Sequence, residues 1–231
     1  NADASEGFRI VRRLKELMDR TERRFKPVLA GLHQVQRFQS IPNQPLAHLG
    51  QPIAVGPLGP QYAFNLVATP LEALGYRFES DEAVFRILTN TNYQPSLLQL
   101  FCDELLKYML KRPLAKDAPP YLVSMDDVER VYATPDLANE IRNRFELTIN
   151  LDPRYRVIAY VLALHGLEAE VSASAIREEC ETWWPAGFED TTDDEFDALL
   201  DELKELGILY SADERYTMRS PNVLRMLVTH D

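Results

Sequence analysis

The chain has 231 residues, with 45% hydrophobic and 26% charged residues, an ordinary composition for a globular protein. No apolar run approaches the roughly 18 residues of a membrane span, and the first residues lack the basic and apolar regions of a secretory signal. Cys102 and Cys180, the two cysteines, are too few for a disulfide framework or a metal site. The sequence therefore predicts a cytoplasmic protein with no membrane partner.

Acidic residues are concentrated in the last third of the chain. Residues 1–150 hold 18 basic and 18 acidic residues, whereas residues 151–231 hold 7 basic and 18 acidic ones. The whole net charge of −11 therefore lies after residue 150. This shift predicts a domain boundary near residue 150 and argues against nucleic acid as a partner of the last domain.

The first part of the chain predicts a fragment of an α/β domain. Residues 7–24 have apolar side chains at helical spacing and an arginine-rich opposite face, which indicates an amphipathic helix. Residues 26–31 and 53–55 are short apolar runs that end at glycines, and each predicts a short strand, the first of them buried. Helix followed by strand is the rhythm of a parallel sheet. Because one such unit cannot form a stable sheet and the chain lacks an initiator methionine, we expect further strands upstream of Asn1.

The central part predicts a helical region with a linker at 111–120. Pro95 opens one helix, since proline suits the first helical turn. Ser124 opens another with a start like a capping box, in which Asp127 replaces the usual glutamate. The expected helices cover residues 60–75, 81–89, 95 to about 110, 124–132 and 135–147.

The last third predicts three helices and a hairpin. The helices are expected at residues 154–165, 172–184 and 193–206, the hairpin at 208–218, and a short helix after Ser220. Three helices followed by a two-stranded wing is the order of a winged-helix domain, a variant of the helix-turn-helix. Trp183 and Trp184 lie at a helix end, where we expect them to pack between the second and third helices rather than to form a surface hot spot.

Catalytic motifs are missing from the sequence. It contains no Walker A loop of the form G-x-x-x-x-G-K-[ST] and no apolar strand that ends in paired acids. It also lacks a nucleophile elbow, and its four histidines are scattered without metal-ligand spacing: His33, His48, His165 and His230. The chain alone is therefore expected to be inactive and to hold no catalytic residue and no metal.

Six short strings follow one another along the chain: VLAGLHQVQR from Val28, PLAH from Pro45, GPL from Gly56, PLEALGY from Pro70, YQPSLLQ from Tyr93 and YTMRSPNVL from Tyr216. In this order they resemble bacterial P-loop ATPases of the signal-transduction class with numerous domains, the STAND group, which is related to AAA+ ATPases. The resemblance spans essentially the whole chain. It implies a mainly α fold with a remnant of the P-loop α/β core at 1–58, a helical lid at 59–150 and a winged helix with a small β-hairpin at 151–231.

The resemblance also implies a nucleotide site shared with upstream sequence. The strand at 28–31 would be a sensor strand, and His33 and Arg37 after it would face the γ-phosphate, unless they form salt bridges or interface contacts. Tyr93 and Pro95 match the Gly-x-Pro element of the STAND lid, with Tyr93 in place of the glycine, or they mark only a helix start. The implied cofactor is ATP or ADP with Mg²⁺ in the whole protein, bound together with an upstream P-loop half, and none for this chain alone.

The polar face of the helix at 193–206 decides between partner classes. It carries one basic residue, Lys204, and the acidic residues Asp193, Asp194, Glu195, Asp197, Asp201, Glu202 and Glu205. Such a face repels the DNA backbone, so protein contacts fit better, for example docking on the arginine-rich helix at 7–24 and self-association on activation. The sequence thus favours the regulatory C-terminal region of a nucleotide-switched ATPase. The alternatives are a winged-helix DNA-binding regulator or origin-recognition-like initiator, and a scaffold without ATPase activity.

Overall fold

A computed structural model describes residues 9–30, 53, 55–113 and 118–219. The chain divides into two compact units, Asn1–Ala54 and Val55–Asp231. The described residues are mainly helical, as predicted. The domain boundaries expected at 58/59 and 150/151 stay predictions.

The first unit contains the amphipathic helix that the sequence predicts. Helix α1 covers Arg9–Arg20, and none of its residues is buried. The helix ends at Thr21, whose hydroxyl donates to the carbonyl of Leu17 at 2.8 Å and accepts the backbone N–H of Phe25 at 3.2 Å. This side chain replaces the intrahelical partners that the last turn of a helix lacks.

The two strands predicted in the first part are wrong for the residues that can be described there. Residues 26–30 form neither helix nor strand, and Val28 is 92% exposed. Ile53 and Val55 are likewise outside any strand and are 87% and 91% exposed. An apolar run becomes a buried strand only beside a partner strand. Among the described residues, no strand pairs with either of these runs. Gly31 and Ala54 lie outside the described residues.

The first half of the second unit holds five helices and two short strands among its described residues. They are α2 (Pro60–Ala73), β1 (Tyr76–Phe78), α3 (Asp81–Asn90), α4 (Pro95–Lys111), β2 (Tyr121–Val123), α5 (Met125–Tyr132) and α6 (Pro135–Ile149). All five predicted helices are confirmed, with shifts of one or two residues at their ends. Prolines open three of them, because their fixed φ and missing N–H suit the first turn: Pro60, Pro95 and Pro135.

A capping box opens α5, and β1 and β2 form a short parallel pair. The capping box predicted at Ser124 is confirmed: its hydroxyl accepts the Asp127 N–H at 3.2 Å, and the Asp127 carboxylate accepts the Ser124 N–H at 2.9 Å. Strands β1 and β2 pair in parallel, with Tyr76 opposite Tyr121. The sequence analysis missed both strands, since three residues are too few to show an alternating pattern.

The second half of this unit follows the predicted order of three helices and a hairpin. Its elements are α7 (Pro153–His165), β3 (Val171–Ser172), α8 (Ala173–Trp183), a single turn α9 (Pro185–Phe188), α10 (Asp193–Glu205), β4 (Leu209–Ala212) and β5 (Arg215–Met218). The hairpin β4–β5 is joined by β3 in an antiparallel sheet of order β3-β5-β4. The two-residue β3 was missed by the sequence analysis, and the helix expected after Ser220 lies outside the described residues.

One cluster of buried apolar side chains extends through the described part of the second unit, from Ala63 on α2 to Met218 on β5. Helix α6 packs on α7 across residue 150. The two tryptophans contribute little to this core. Trp184 is 36% exposed and meets Phe188 edge to face at 6.1 Å, whereas Trp183 is 67% exposed. The packing predicted for Trp183 is therefore wrong, because α8 ends at this residue and turns it outward.

Candidate functional site

Two of the four residues expected at a nucleotide site can be located. His33 and Arg37 lie outside the described residues. Tyr93 and Pro95 lie where α3 ends and α4 begins, and both are half-buried. The segment Thr91–Gln94 that joins the two helices is called the junction turn below.

The junction turn is built by a left-handed pair of residues. Asn92 and Tyr93 have φ values of 50° and 60°, a region that asparagine tolerates but that is costly for tyrosine. The reversal lets the Tyr93 N–H donate to the carbonyl of Leu88 at 3.0 Å and the Thr91 hydroxyl donate to that of Ile87 at 2.8 Å. These bonds satisfy carbonyls that the end of α3 leaves open.

Two amide side chains of the junction turn reach the end of α10. The Asn92 Nδ2 group donates to the carbonyl of Gly207 at 2.8 Å, and the Gln94 Nε2 group donates to that of Leu206 at 2.9 Å. Asn92 is 1% exposed, so its bond is shielded from water. The junction turn before α4 is thereby bonded to the two residues that follow α10, more than a hundred residues further along the chain.

Tyr93 itself is held between two other segments. Its carbonyl accepts the Leu58 N–H at 2.9 Å, and the guanidinium carbon of Arg219 lies 5.3 Å from the centre of its ring. A cation over an aromatic face is attracted by the ring quadrupole. Burial lowers the pKa of Arg219, although it leaves the group charged at neutral pH.

Gly207 allows the close approach at this junction. Its φ is +77°, and a Cβ atom there would lie 2.6 Å from Cγ of Pro57 and 2.7 Å from Nε2 of Gln94. Both the backbone conformation and the lack of space require glycine. From the sequence, Gly207 was expected only to close the helix at 193–206, and its contact with Asn92 and Gln94 was not predicted. The signals were a glycine after α10 and an asparagine after α3, both common at helix ends.

One buried acceptor of the junction is left unused. Asn92 Oδ1 has no hydrogen-bond partner among the described residues. A buried polar atom in that state costs about 1–3 kcal/mol. The described contacts therefore hold Asn92 through its Nδ2 group, whose bond to the carbonyl of Gly207 fixes the side chain.

The helix α10 presents an acidic face, but with a different membership from the predicted one. Asp193, Asp194, Glu195 and Asp197 are exposed. Glu202 is 0% exposed, so its predicted place on the acidic surface is wrong. It follows Leu199 by three residues and at 100° per residue falls on the edge of the apolar stripe.

Glu202 is accommodated in the core by Tyr155 of α7. The Tyr155 hydroxyl donates to Glu202 Oε2, and Tyr155 is also 0% exposed. A buried carboxylate needs such a donor, because burial without one is costly. The pair lies in the helical core and is not accessible to a ligand.

The exposed carboxylates of α10 crowd one another at its beginning. Burial raises the pKa of Asp197, and the charges of Asp201, Asp193 and Asp194 raise it further. Arg177 of α8 offsets part of this charge by pairing with Asp193 while it donates to the carbonyl of Thr191 at 2.6 Å. The remaining surface is suited to a basic partner.

The arginines near the hairpin contact the chain itself. Arg215 donates to the carbonyl of Glu170 at 3.2 Å, and Arg219 covers Tyr93 as described. Arg225 lies outside the described residues. Each of the two described arginines thus has a contact within the chain, Arg215 through one of its donors and Arg219 through the face of Tyr93.

Among the described residues, no helix is long and apolar enough to cross a membrane.

The described part of the chain offers neither a metal site nor a reactive thiol. No group of three or more His, Cys, Asp or Glu residues there could hold a metal ion. Burial raises the pKa of both thiols, Cys102 and Cys180, to about 12. Such thiols are protonated at neutral pH and are poor nucleophiles.

No protein-family model, curated protein or solved structure matches the chain. The resemblance to STAND ATPases, the nucleotide site and the partners expected from it therefore stay predictions.

Proposed function

We propose that the chain is the regulatory region of a nucleotide-switched ATPase, which couples the ATP or ADP state to domain rearrangement and assembly. In this proposal the phosphate-binding loop and the Mg²⁺ site belong to an upstream segment of the same protein. Residues 59–150 act as a helical lid and residues 151–231 as a winged-helix domain. The chain alone does not hydrolyse ATP.

The observation that carries the proposal is the junction between α4 and α10. A lid transmits nucleotide state only if its movement reaches the next module, and here the junction turn before α4 is bonded to the carbonyls of Leu206 and Gly207. Any displacement of the turn at Asn92 must break or carry these bonds.

The exposed acidic face of α10 supports protein partners in this scheme. Asp194 and Asp197 are exposed and lie among other acids, so a basic protein surface gains electrostatic complementarity on docking. The alternative of a DNA-binding regulator needs basic residues on this face, and Lys204 is already paired with Asp201 at 2.6 Å.

The test is calorimetric titration of ATP and ADP, each with Mg²⁺, into the full-length protein and into this chain. We expect binding by the former and none by the latter. The full-length protein should also show nucleotide-dependent hydrogen exchange in α10. Absence of nucleotide binding by the full-length protein would contradict the proposal.

A junction variant separates coupling from binding. Replacing Asn92 and Gln94 together by alanine should leave nucleotide affinity within about threefold while the nucleotide-dependent exchange in α10 disappears. The matched control is Gln61→Ala, which removes an exposed amide whose bond is to Asn65 on its own helix α2. Unchanged exchange behaviour in the double variant would refute the role of the junction.

A further inference from the structure

A second polar site lies at the opposite end of α4 from Tyr93 and Pro95. The last turns of α4 and the first turns of α5 border a cavity of about 580 Å³ that is open to solvent. This volume is within the range of small-molecule sites. The chain rises about 1.5 Å per helical residue, so Pro95 and Lys111 are roughly 24 Å apart along α4. The cavity is therefore distinct from the junction.

Cations from both helices line this cavity. They are Lys111 and Arg112 at the end of α4 and Arg130 on α5. Two carboxylates, Asp126 and Asp127, share the lining, which leaves the formal charge of the cavity positive by one. The cavity is thus weakly positive within residues 1–150, which are neutral as a whole.

The charge of Asp127 is already used within the fold. Its side chain is 5% exposed, and its Oδ2 atom accepts Arg112 at 2.6 Å, the Ser124 N–H at 2.9 Å and the Ser124 hydroxyl at 2.8 Å. This carboxylate consequently fixes Arg112 at the wall of the cavity. A guanidinium group has five N–H donors, so Arg112 keeps donors for a ligand.

The other two cations are easily reached. Arg130 pairs with Asp126 at 2.8 Å, with side chains 63% and 70% exposed. Such exposed pairs contribute little and exchange readily, so an anion can take the place of Asp126. Lys111 is exposed and has no ion pair among the described residues. Tyr108 forms an aromatic part of the wall.

We propose that this cavity binds a small molecule through its phosphoryl group, with Lys111 and Arg130 as the contacting cations and Arg112 as a fixed third donor. Guanidinium groups match the geometry of phosphate oxygens, and lysine adds a compact charge. The cavity volume exceeds what one phosphate fills, so a phosphate ester or a diphosphate fits better than the inorganic ion. The site is independent of the nucleotide site proposed upstream.

The experiment titrates orthophosphate, pyrophosphate and Mg²⁺-free ADP into the full chain and into Lys111→Gln and Arg130→Gln variants. We expect saturable pyrophosphate binding that weakens at least about tenfold in each variant. The matched control is Lys107→Gln, one turn earlier on α4, where Lys107 is paired with Asp103 and Glu104 at 2.7 Å outside the cavity. The control should bind like the unaltered chain.

Three outcomes decide the matter. Loss of binding in the two cavity variants and not in the control supports the site, and tighter binding of ADP than of pyrophosphate then identifies a nucleotide. An equal loss in Lys107→Gln overturns it, because the anion then responds only to net charge. Absence of saturable pyrophosphate binding at millimolar concentrations overturns it as well. Because Lys111 and Arg130 are exposed, the variants should fold, which thermal melting checks.

Discussion

Three acidic residues are buried among the described residues: Asp127, Asp152 and Glu202. Asp127 is 4% exposed and Glu202 is 0% exposed. Asp127 is bonded by its own helix cap and by Arg112, whereas Glu202 accepts the hydroxyl of Tyr155, which is distant in sequence. A buried carboxylate is stabilising only with its donors in place, so Asp127 and Glu202 each lead to a prediction.

Replacing Asp127 by asparagine should lower the free energy of unfolding by about 1–3 kcal/mol at neutral pH, since it removes a charged cap and the Arg112 pair. Burial acts to raise the pKa of Asp127, but hydrogen bonds from Ser124 and the charge and hydrogen bond of Arg112 outweigh it and lower the pKa below 3.8.

The direction of that pKa shift fixes the pH dependence. A lowered folded pKa contributes stability that is fully present above the unfolded value of 3.8 and is lost as the pH falls through the lowered folded value. The difference in urea unfolding between the Asp127→Asn variant and the unaltered chain should therefore shrink below pH 3.8. A difference that stays constant in acid would contradict the assignment.

The Tyr155→Phe variant should be less stable by about 1–3 kcal/mol, because it removes a hydroxyl donor from a buried carboxylate and adds no space problem. Tyr62→Phe is the control: that side chain is 73% exposed, and its loss of a hydroxyl should change stability by less than about 0.5 kcal/mol. If Tyr155→Phe and Tyr62→Phe lose the same stability in thermal unfolding, the buried bond from Tyr155 to Glu202 contributes no more than an exposed hydroxyl.

At the scale of elements, contacts between helix ends organise the second unit. Helix α4 begins after the junction turn and ends at the cavity lined by Lys111 and Arg112. Its first end therefore lies beside amide hydrogen bonds, and its last end lies beside exposed cations. At its first turn, the carbonyls after α10 accept side-chain amides of the junction turn. Helix ends leave backbone groups without intrahelical partners, and here tertiary contacts use them to join two helices.

Gly207→Ala tests this joint. The new Cβ would meet Pro57 and Gln94 at 2.6 Å and 2.7 Å in a left-handed backbone conformation, and we expect a loss of more than about 1 kcal/mol. The control Gly59→Ala has φ of −63° and only an ordinary contact with Tyr62 at 3.6 Å, so in denaturant unfolding it should lose no more than the modest contribution of an N-cap glycine, less than Gly207→Ala. A Gly207→Ala variant as stable as the control would refute the tight packing.

At the scale of the whole molecule, the charge distribution sets which partners are attracted. The net charge of −11 arises entirely after residue 150, and the exposed part of α10 is acidic there. Phosphate contacts by Lys and Arg supply most non-specific DNA affinity. The proposed function accordingly rests on protein contacts and nucleotide coupling.

We therefore expect no salt-dependent mobility shift of duplex DNA by the chain at about 50 mM salt. Changing Asp193, Asp194 and Asp197 to lysine should create a weak, salt-sensitive shift, which shows that the assay responds to this face. Sequence-dependent DNA binding by the unaltered chain would favour the DNA-binding regulator over the ATPase region.

Local sequence signals were enough to predict the helices of the second unit other than the single turn α9, the capping box at Ser124 and the hairpin β4–β5. Apolar spacing, prolines and caps act within a few residues, so these signals survive without the rest of the fold. The same local signals misplaced strands at 26–30 and 53–55, because an apolar run shows no partner.

Which of these elements pack or pair with one another is visible only in the tertiary structure. The parallel pairing of β1 with β2, the burial of Glu202 against Tyr155 and the bonds from Asn92 and Gln94 to the end of α10 each join segments far apart in the chain. Helical periodicity places a residue on a face but does not name the neighbour that the face meets. The neighbouring element decides whether a carboxylate such as Glu202 is exposed or buried, and whether a turn such as the junction turn is bonded to another helix.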